Sequence, residues 1–359
     1  MNDTETKYGK YGKNVKVFAF AGIAVIVIAG ISFALLSNKD NSNDVINPAS
    51  NHTQKEYTTI RMADETIWVI LATVAEEKGF FEEEGIKIKW TGKVAGGGPG
   101  QLASIAGGSN DAGSAAVMAI VNAISRGVKV KAVAPEWEID EQSANWYVLE
   151  NSSIRTAKDL VGKKIAVNTL KANNEYSIKE YLSQNGVPFD KVELVVIDGT
   201  RVGNPFLTEE LFRKGEVDMM SAYEVTEWKL LQKGGVRRIV SNYEIWGRAS
   251  GNPAYVVSEE FMKKNPDATR RFVTALAKAA DYVNANPQEA LQIVIKHNFA
   301  VNEEAAKHIK AHRYPEHALI SEEQVKLWID RMIKYGDLKE GQIKSSDIYT
   351  NEFNPYYKR

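Results

Sequence analysis

The sequence predicts a mixed α/β protein of two lobes, the second inserted into the first, preceded by one N-terminal transmembrane helix. Three observations carry this: a β-α-β-α-β rhythm that restarts near residue 163, a strand at 254–257 that returns after the second run, and an apolar stretch at 17–36. A chain of 359 residues suits two domains at roughly 100–200 residues each.

Residues 17–36 (VFAFAGIAVIVIAGISFALL) carry no charge. About 20 helical residues at 1.5 Å each cross a hydrocarbon core of roughly 30 Å. Lys7, Lys10, Lys13 and Lys16 precede the stretch, and the basic side stays in the cytoplasm. The expectation is a cytoplasmic segment at 1–16, a transmembrane anchor or signal sequence at 17–36, and a linker at 37–56 rich in Asn, Ser, Asp and Pro. The body would then lie on the extracytoplasmic side. Ser32 and Ala34 also offer a small-x-small cleavage pattern, which would leave the protein secreted or periplasmic.

The body opens with Thr58–Met62, whose alternation reads as a strand. Ile67, Ile70, Leu71, Val74 and Ala75 share one face of a helix over 66–80. Gly79 and Gly85 bracket FFEEEG as turns, and Ile86–Trp90 alternates as a second strand. Gly96-Gly97-Gly98-Pro99-Gly100 reads as a flexible loop before a helix near 100–107. Residues 115–126 read as a helix ended by Gly127, and 128–133 as a strand. Such alternation calls for a mostly parallel sheet wrapped by helices.

The rhythm restarts with a strand at 163–167, a helix at 173–184, a strand at 192–197, a helix at 207–214 and a strand at 217–222. After the returning strand, helices are expected at 266–285, 287–297, 302–312 and 321–334, with Asn286-Pro287 and Tyr314-Pro315 as breaks. Lobe one is therefore expected to comprise 57–150 plus 252–359, and lobe two 151–251, with crossings near 147–153 and 245–254. Ligands of open α/β sheets sit beyond the carboxyl ends of the strands, so two facing sheets define a cleft that closes by a hinge.

Composition removes several function classes. With no cysteine, disulfides, thiolate metal sites and cysteine nucleophiles are excluded. A formal net charge of −1 gives no basis for a nucleic-acid partner. Gly96–Gly98 lacks the Gly-Lys-Ser/Thr ending of a phosphate loop, and no Gly-x-Ser-x-Gly elbow occurs. His308 and His312 stand four apart on an expected helix, with His317 beyond; no His-Glu-x-x-His pattern accompanies them, and a solvated or locally paired face is expected. No metal, cofactor or enzyme activity is expected.

AEEKGFFEEEGI at 75–86, GGSNDAG at 107–113, TAKDLVGKKIAV at 156–167, GEVD at 215–218, and VSEEF at 257–261 with Asn265-Pro266 follow one another in a characteristic order. From about 57 to 345 the chain resembles the nitrate, taurine and sulfonate class of ABC-transporter substrate-binding proteins, which also includes binders of thiamine pyrimidine precursors. The resemblance implies a periplasmic-binding-protein type II-like fold, reversible binding of a small molecule without turnover, and permease and ATPase subunits as partners. A sensor ectodomain using the same clamp would need signalling sequence ahead of residue 17.

The expected strand ends select the candidate ligand residues. After the first strand come Glu65 and Trp68; at the turn after Asp111, Ser114 and Ala115; after the 128–133 strand, Glu136 and Trp137, with Glu136, Glu138 and Glu224 also readable as solvated rim residues. In lobe two they are Asn168, Thr169, Lys171, Asn173 and Asn174, then Tyr223 and Glu224, with Asn252 near the second crossing. Free N–H groups at the start of the 173–184 helix form an anion site in principle, and in the family resembled here this loop grips the acidic group. Its usual small Gly-Ser run is absent. Glu65, Glu136, Glu138 and Glu224 outnumber Lys171 among these loops, and the aromatic residues suit a flat or cationic group. A sulfonate, taurine or nitrate-like solute and a nitrogenous, pyrimidine-like or zwitterionic one both remain open.

Overall fold

The computed structural model describes residues 15–17, 57–65, 70–140, 143–198, 206–247, 253–297 and 303–358. Its strands are β1 (Val15–Val17), β2 (Thr58–Met62), β3 (Ile86–Trp90), β4 (Ala112–Ala116), β5 (Val130–Pro135), β6 (Asn145–Leu149), β7 (Lys164–Val167), β8 (Glu193–Val196), β9 (Met220–Ala222), β10 (Val236–Ser241) and β11 (Pro253–Ser258).

Ile60 and Met62 turn inward from β2 while Thr59 faces water, the alternation of a strand with one buried face. Arg61 grips Asp111 with two donors, at 3.0 and 2.7 Å, and ties β2 to the turn that launches β4. The resulting sheet has the order β3-β2-β4-β11-β5, with β2 parallel to β3 and β4. β11 runs antiparallel to both β4 and β5. The expected mostly parallel sheet is thus mixed. β11 arrives from the other sheet system rather than by a helical crossover, so it enters from the opposite end.

The chain leaves this sheet after Pro135, enters the second at Asn145, and returns between Ser241 and Pro253. The second system joins a parallel set, β1-β8-β7, to an antiparallel set, β10-β6-β9. The seam is the bond from the Ala166 N–H to the Met219 carbonyl, 2.9 Å. β6 and β10, and the helix Glu224–Lys233, were not expected from the sequence pattern.

Helices cover the sheets as their patterns require. Pro266–Ala285 starts with proline in its first turn beside Asp267 and buries Phe272, Val273, Leu276, Ala280 and Val283 along one stripe. Phe272 lies parallel to Phe81 with centroids 5.6 Å apart. Glu322–Lys334 likewise buries Val325, Trp328, Ile329 and Met332. The expected helix at 302–312 is shorter, Glu303–Ala306. Beyond it the backbone is taken by tertiary partners: Asn284 holds Tyr314 through its N–H and carbonyl, both at 2.9 Å, and the Glu138 N–H donates to the Arg313 carbonyl at 2.7 Å.

The Gly96–Gly100 run is a packing device rather than a flexible loop, since Gly97–Ala106 is helical. A Cβ on Gly98 would meet the Ala115 Cβ at 2.9 Å, and one on Gly100 would meet the Ala95 carbonyl oxygen at 2.0 Å. Gly98 lets the helix lie against β4, and Gly100 lets the Val94–Ala95 segment fold back onto the first turn of the helix. Gly100→Ala is therefore expected to lower stability by about 1–3 kcal/mol, read as a shifted urea midpoint with an unchanged slope.

The apolar segment 18–36 and the linker lie outside the described residues. Among the described residues no helix is long and apolar enough to cross a membrane. β1 pairs Val15, Lys16 and Val17 with Leu194, Val195 and Val196. This pairing and a membrane helix that begins at Val17, with the body on the far side, exclude each other.

Candidate functional site

The carboxyl ends of β2, β4 and β5 share one edge of the first sheet, and β11 begins at that edge because Pro253 pairs with Ala116. Glu65 and Glu136 sit just past two of these ends. Glu65 caps the helix Leu71–Glu77 from outside: its Oε2 accepts from the Thr73 N–H at 2.7 Å and the Thr73 hydroxyl at 2.6 Å, and its Oε1 from the Ala72 N–H at 3.2 Å. The Tyr255 hydroxyl, from β11, also donates to Oε1. Free N–H groups of a first helical turn favour such an anion. Burial outweighs them and pushes the Glu65 carboxyl up to about 7.

Glu136 is wholly buried, 0% exposed, and neither carboxylate oxygen has a hydrogen-bond partner. The Ser114 hydroxyl is near enough to favour the anion but is not aligned as a donor to either oxygen. Burial, and then the negative charge of Glu65, hold the Glu136 carboxyl well above the usual range. Next to it Trp137 is buried, with its indole N–H unpartnered and its ring stacked on His312 at 4.5 Å. His312 lies 3.5 Å from Asp140.

Ser114 and Ala115 are buried within β4, not in a helix-opening loop as expected, and the Ser114 N–H donates to Gln101 at 2.9 Å. Glu138 is half-buried. In the second sheet system β7 and β9 end on one side. There Asn174 donates to the Ser221 hydroxyl at 2.9 Å and accepts from the Tyr223 hydroxyl at 2.5 Å. Asn173 accepts from Ser177, and exposed Asn168 accepts the N–H of half-buried Thr169.

Lys171 adopts φ 58 and donates its N–H to Glu175 at 2.8 Å, while its ammonium pairs with Asp337. Lys171, the one clearly basic residue among the expected ligand loops, is thus engaged by Asp337 of the tail, and Glu175 adds negative charge to the same helix start. Glu224 is the first residue of its helix. Trp68, Asn252 and the Glu224 side chain lie outside the described residues.

The two systems meet on both flanks. Val225 of the second packs in one apolar cluster with Trp137, Ile139 and Tyr255 of the first, and Trp228 stacks on His308 at 5.6 Å. On the other flank Tyr176 joins the cluster of Trp328 and Met332. His308, beyond the end of its helix, pairs with Glu304, and among the described residues no group of three His, Cys, Asp or Glu side chains could hold a metal. A surface hollow between Glu322, Lys326 and Ile343 lies on the tail and has none of this chemistry.

Sequence reasoning missed Tyr255 and Thr73, and it set His312 on a solvated or locally paired helix face where the structure stacks it on Trp137. Tyr255 sat in an apolar strand pattern and read as core; only the pairing of β11 beside β4 brings its hydroxyl to Glu65.

Two α/β sheet systems joined by two crossings define a two-lobed mixed α/β fold. The chain belongs to the NMT1/THI5-like family, which it matches over residues 69–290. It is 24% identical over 298 residues to a binding protein of Brucella abortus, covering 79% of this chain and 86% of that one. It is 27% identical over 225 residues to 4-amino-5-hydroxymethyl-2-methylpyrimidine phosphate synthase THI11 of Saccharomyces cerevisiae, covering 60% and 64%. In fold it resembles the periplasmic aliphatic sulphonate-binding protein SsuA of Escherichia coli, with TM-score 0.64 and 18% identity over 81% of this chain and 92% of that one. The nitrate-binding protein NrtA of Synechocystis gives 0.66 and 12% over 83% and 87%.

Proposed function

We propose that the protein is the extracytoplasmic solute-binding component of an ABC importer. It closes its lobes on a small solute and delivers it, unchanged, to permease and ATPase subunits. The observation that carries this reading is the edge shared by Glu65, Glu136, Trp137 and Tyr255: polar and aromatic groups converge at strand ends, and the second lobe covers them. The fold likeness to sulfonate- and nitrate-binding receptors supports the same reading, and leaves the solute open between that class and a nitrogenous, pyrimidine-like one. The lobes are proposed as 57–150 plus 252–359 and 151–251. Residues 17–36 are proposed as the membrane anchor, a role that requires β1 to leave the edge of β8.

A thermal-shift screen of the full-length chain against sulfonates, taurine, nitrate, pyrimidines and polyamines tests the reading. A true ligand at about 100 times its dissociation constant adds roughly 2.7 kcal/mol, and the solute should be recovered intact. Conversion of the bound solute to a product would end the receptor assignment.

A further inference from the structure

We infer that Glu136, with Glu65 behind it, is the docking point for a nitrogen-centred cation of the solute, an ammonium, amidinium or protonated aminopyrimidine, and that this group enters in exchange for a proton. The inference rests on the receptor reading and adds the chemistry of one end of its ligand.

Glu136 carries the argument because its surroundings are one-sided. Both oxygens are buried without a donor, whereas Glu65, a few residues past the neighbouring strand end, has four. A buried carboxylate left so is costly in either a structural or a catalytic setting, and becomes favourable when a donor-rich cation fills the gap. The groups bearing on it are of the wrong kind to do this from within the chain. Glu65 repels it, and Ser114 from β4 offers one hydroxyl. Tyr255 from β11 already spends its O–H in a hydrogen bond to Glu65, with Tyr314 of the tail beside it. Trp137 contributes a flat face and an unpartnered N–H, and His312 with Asp140 packs behind that ring rather than against the carboxylate.

Burial, and then the negative charge of Glu65, favour the protonated form of Glu136 when no cation is present. On binding, the Glu136 O–H bond breaks, the proton leaves to solvent, and the carboxylate accepts N–H bonds from the incoming cation. No oxidant or co-reactant is needed. Lys171, the cation of the second lobe's loop, is tied to Asp337 and to the lobe contact, consistent with a cleft whose floor, not its far wall, holds the charge.

Calorimetry on the full-length chain with matched probes decides this: taurine against ethanesulfonate, which lacks only the ammonium, benzamidinium against benzamide, 4-aminopyrimidine against pyrimidine, and nitrate. The nitrogen-bearing probe of at least one pair should bind at least about 10-fold tighter than its partner. For taurine and benzamidinium, which are already cationic near pH 7, runs in two buffers of different ionisation enthalpy should show roughly one proton released per molecule bound, with affinity rising from pH 6 to 8; neutral 4-aminopyrimidine takes up the Glu136 proton instead and releases none. Glu136→Gln should weaken that probe by about 100-fold and abolish the proton release. If the variant fails to fold, proton release by the unaltered chain still decides. Ethanesulfonate or nitrate binding as tightly as taurine, with no proton released, would overturn the subsite and leave the receptor standing. Silence from every probe would overturn the subsite and count against the receptor reading as well.

Discussion

Asp337→Ala is expected to lower the stability of the folded chain by about 3–5 kcal/mol, because it strands buried positive charge between the lobes. The Asp337 side chain is 10% exposed and receives the Tyr176 hydroxyl at 2.8 Å, the Lys179 ammonium at 3.4 Å and the Lys171 ammonium. Lys179 keeps Glu175 at 2.6 Å in the variant, whereas the Lys171 ammonium loses its pairing with Asp337. One turn along, Glu180 accepts from Lys334 at 3.2 Å and from Tyr335, with Arg331 at 3.1 Å. The helix Asn173–Gln184 of lobe two and the tail helix Glu322–Lys334 of lobe one are thus joined by charge as well as by Tyr176 and Trp328.

Burial opposes the Asp337 charge, yet Lys171, Lys179 and Tyr176 together hold its carboxyl below the usual range. A depressed carboxyl contributes stability that is complete above the unfolded value and is lost as pH falls through the folded one. The gap between the parent and variant urea curves should therefore be widest near pH 6 and close in strong acid. Coincident curves at pH 6 would show that the cluster contributes nothing. Small-angle scattering reports the second consequence, a larger radius of gyration for the ligand-free variant.

The second large effect has the opposite sign. Ligand-free protein should lose stability between about pH 5 and pH 8 through Glu65 and Glu136. The Glu65 carboxyl is raised to about 7. A raised carboxyl binds its proton more tightly in the folded chain than in the unfolded one, so stability is greatest below the unfolded value and falls as pH climbs toward the folded value. For Glu65 alone the loss amounts to about 3 kcal/mol by pH 8. Glu136, raised by burial and by Glu65, adds to it. Glu136→Gln should flatten the profile, raising the midpoint at pH 8 and leaving it nearly unchanged at pH 5. A variant that parallels the parent at every pH would mean the two groups do not share the site.

Helix boundaries were legible wherever local chemistry sets them. Asn173–Gln184 and Pro266–Ala285 fall where they were expected, the second because Asn265-Pro266 opens it and Asn286-Pro287 opens its successor. β6 and β10 escaped notice. Their residues, NWYVL and VRRIVS, pair antiparallel only because the chain has crossed into another sheet, although Gly234-Gly235 marks a turn directly ahead of β10. The expected helix over 302–312 stops at Ala306, and the chain past it is fixed at Arg313 and Tyr314 by Glu138 and Asn284 rather than by helical bonds of its own. In the site, acidic and aromatic residues at the ends of predicted strands could be named in advance. Their states could not, since the environment of Glu136 depends on Ser114, Glu65 and Tyr255 from three other segments.

Periodicity, turn residues and the order of short motifs were sufficient for the α/β class, the repeated unit and the family, because each is written within a dozen or so neighbouring residues. Which acid is satisfied and which is left bare, and which lysine is free for a ligand, were decided only in the folded chain. Glu65 and Glu136 look alike in the sequence, yet one faces the open start of a helix and the other is buried with no hydrogen-bond partner. Lys171 looks like the ligand's cation until the tail brings Asp337 against it. The cause is physical: burial and charge pairing depend on distances in space, which local pattern does not encode.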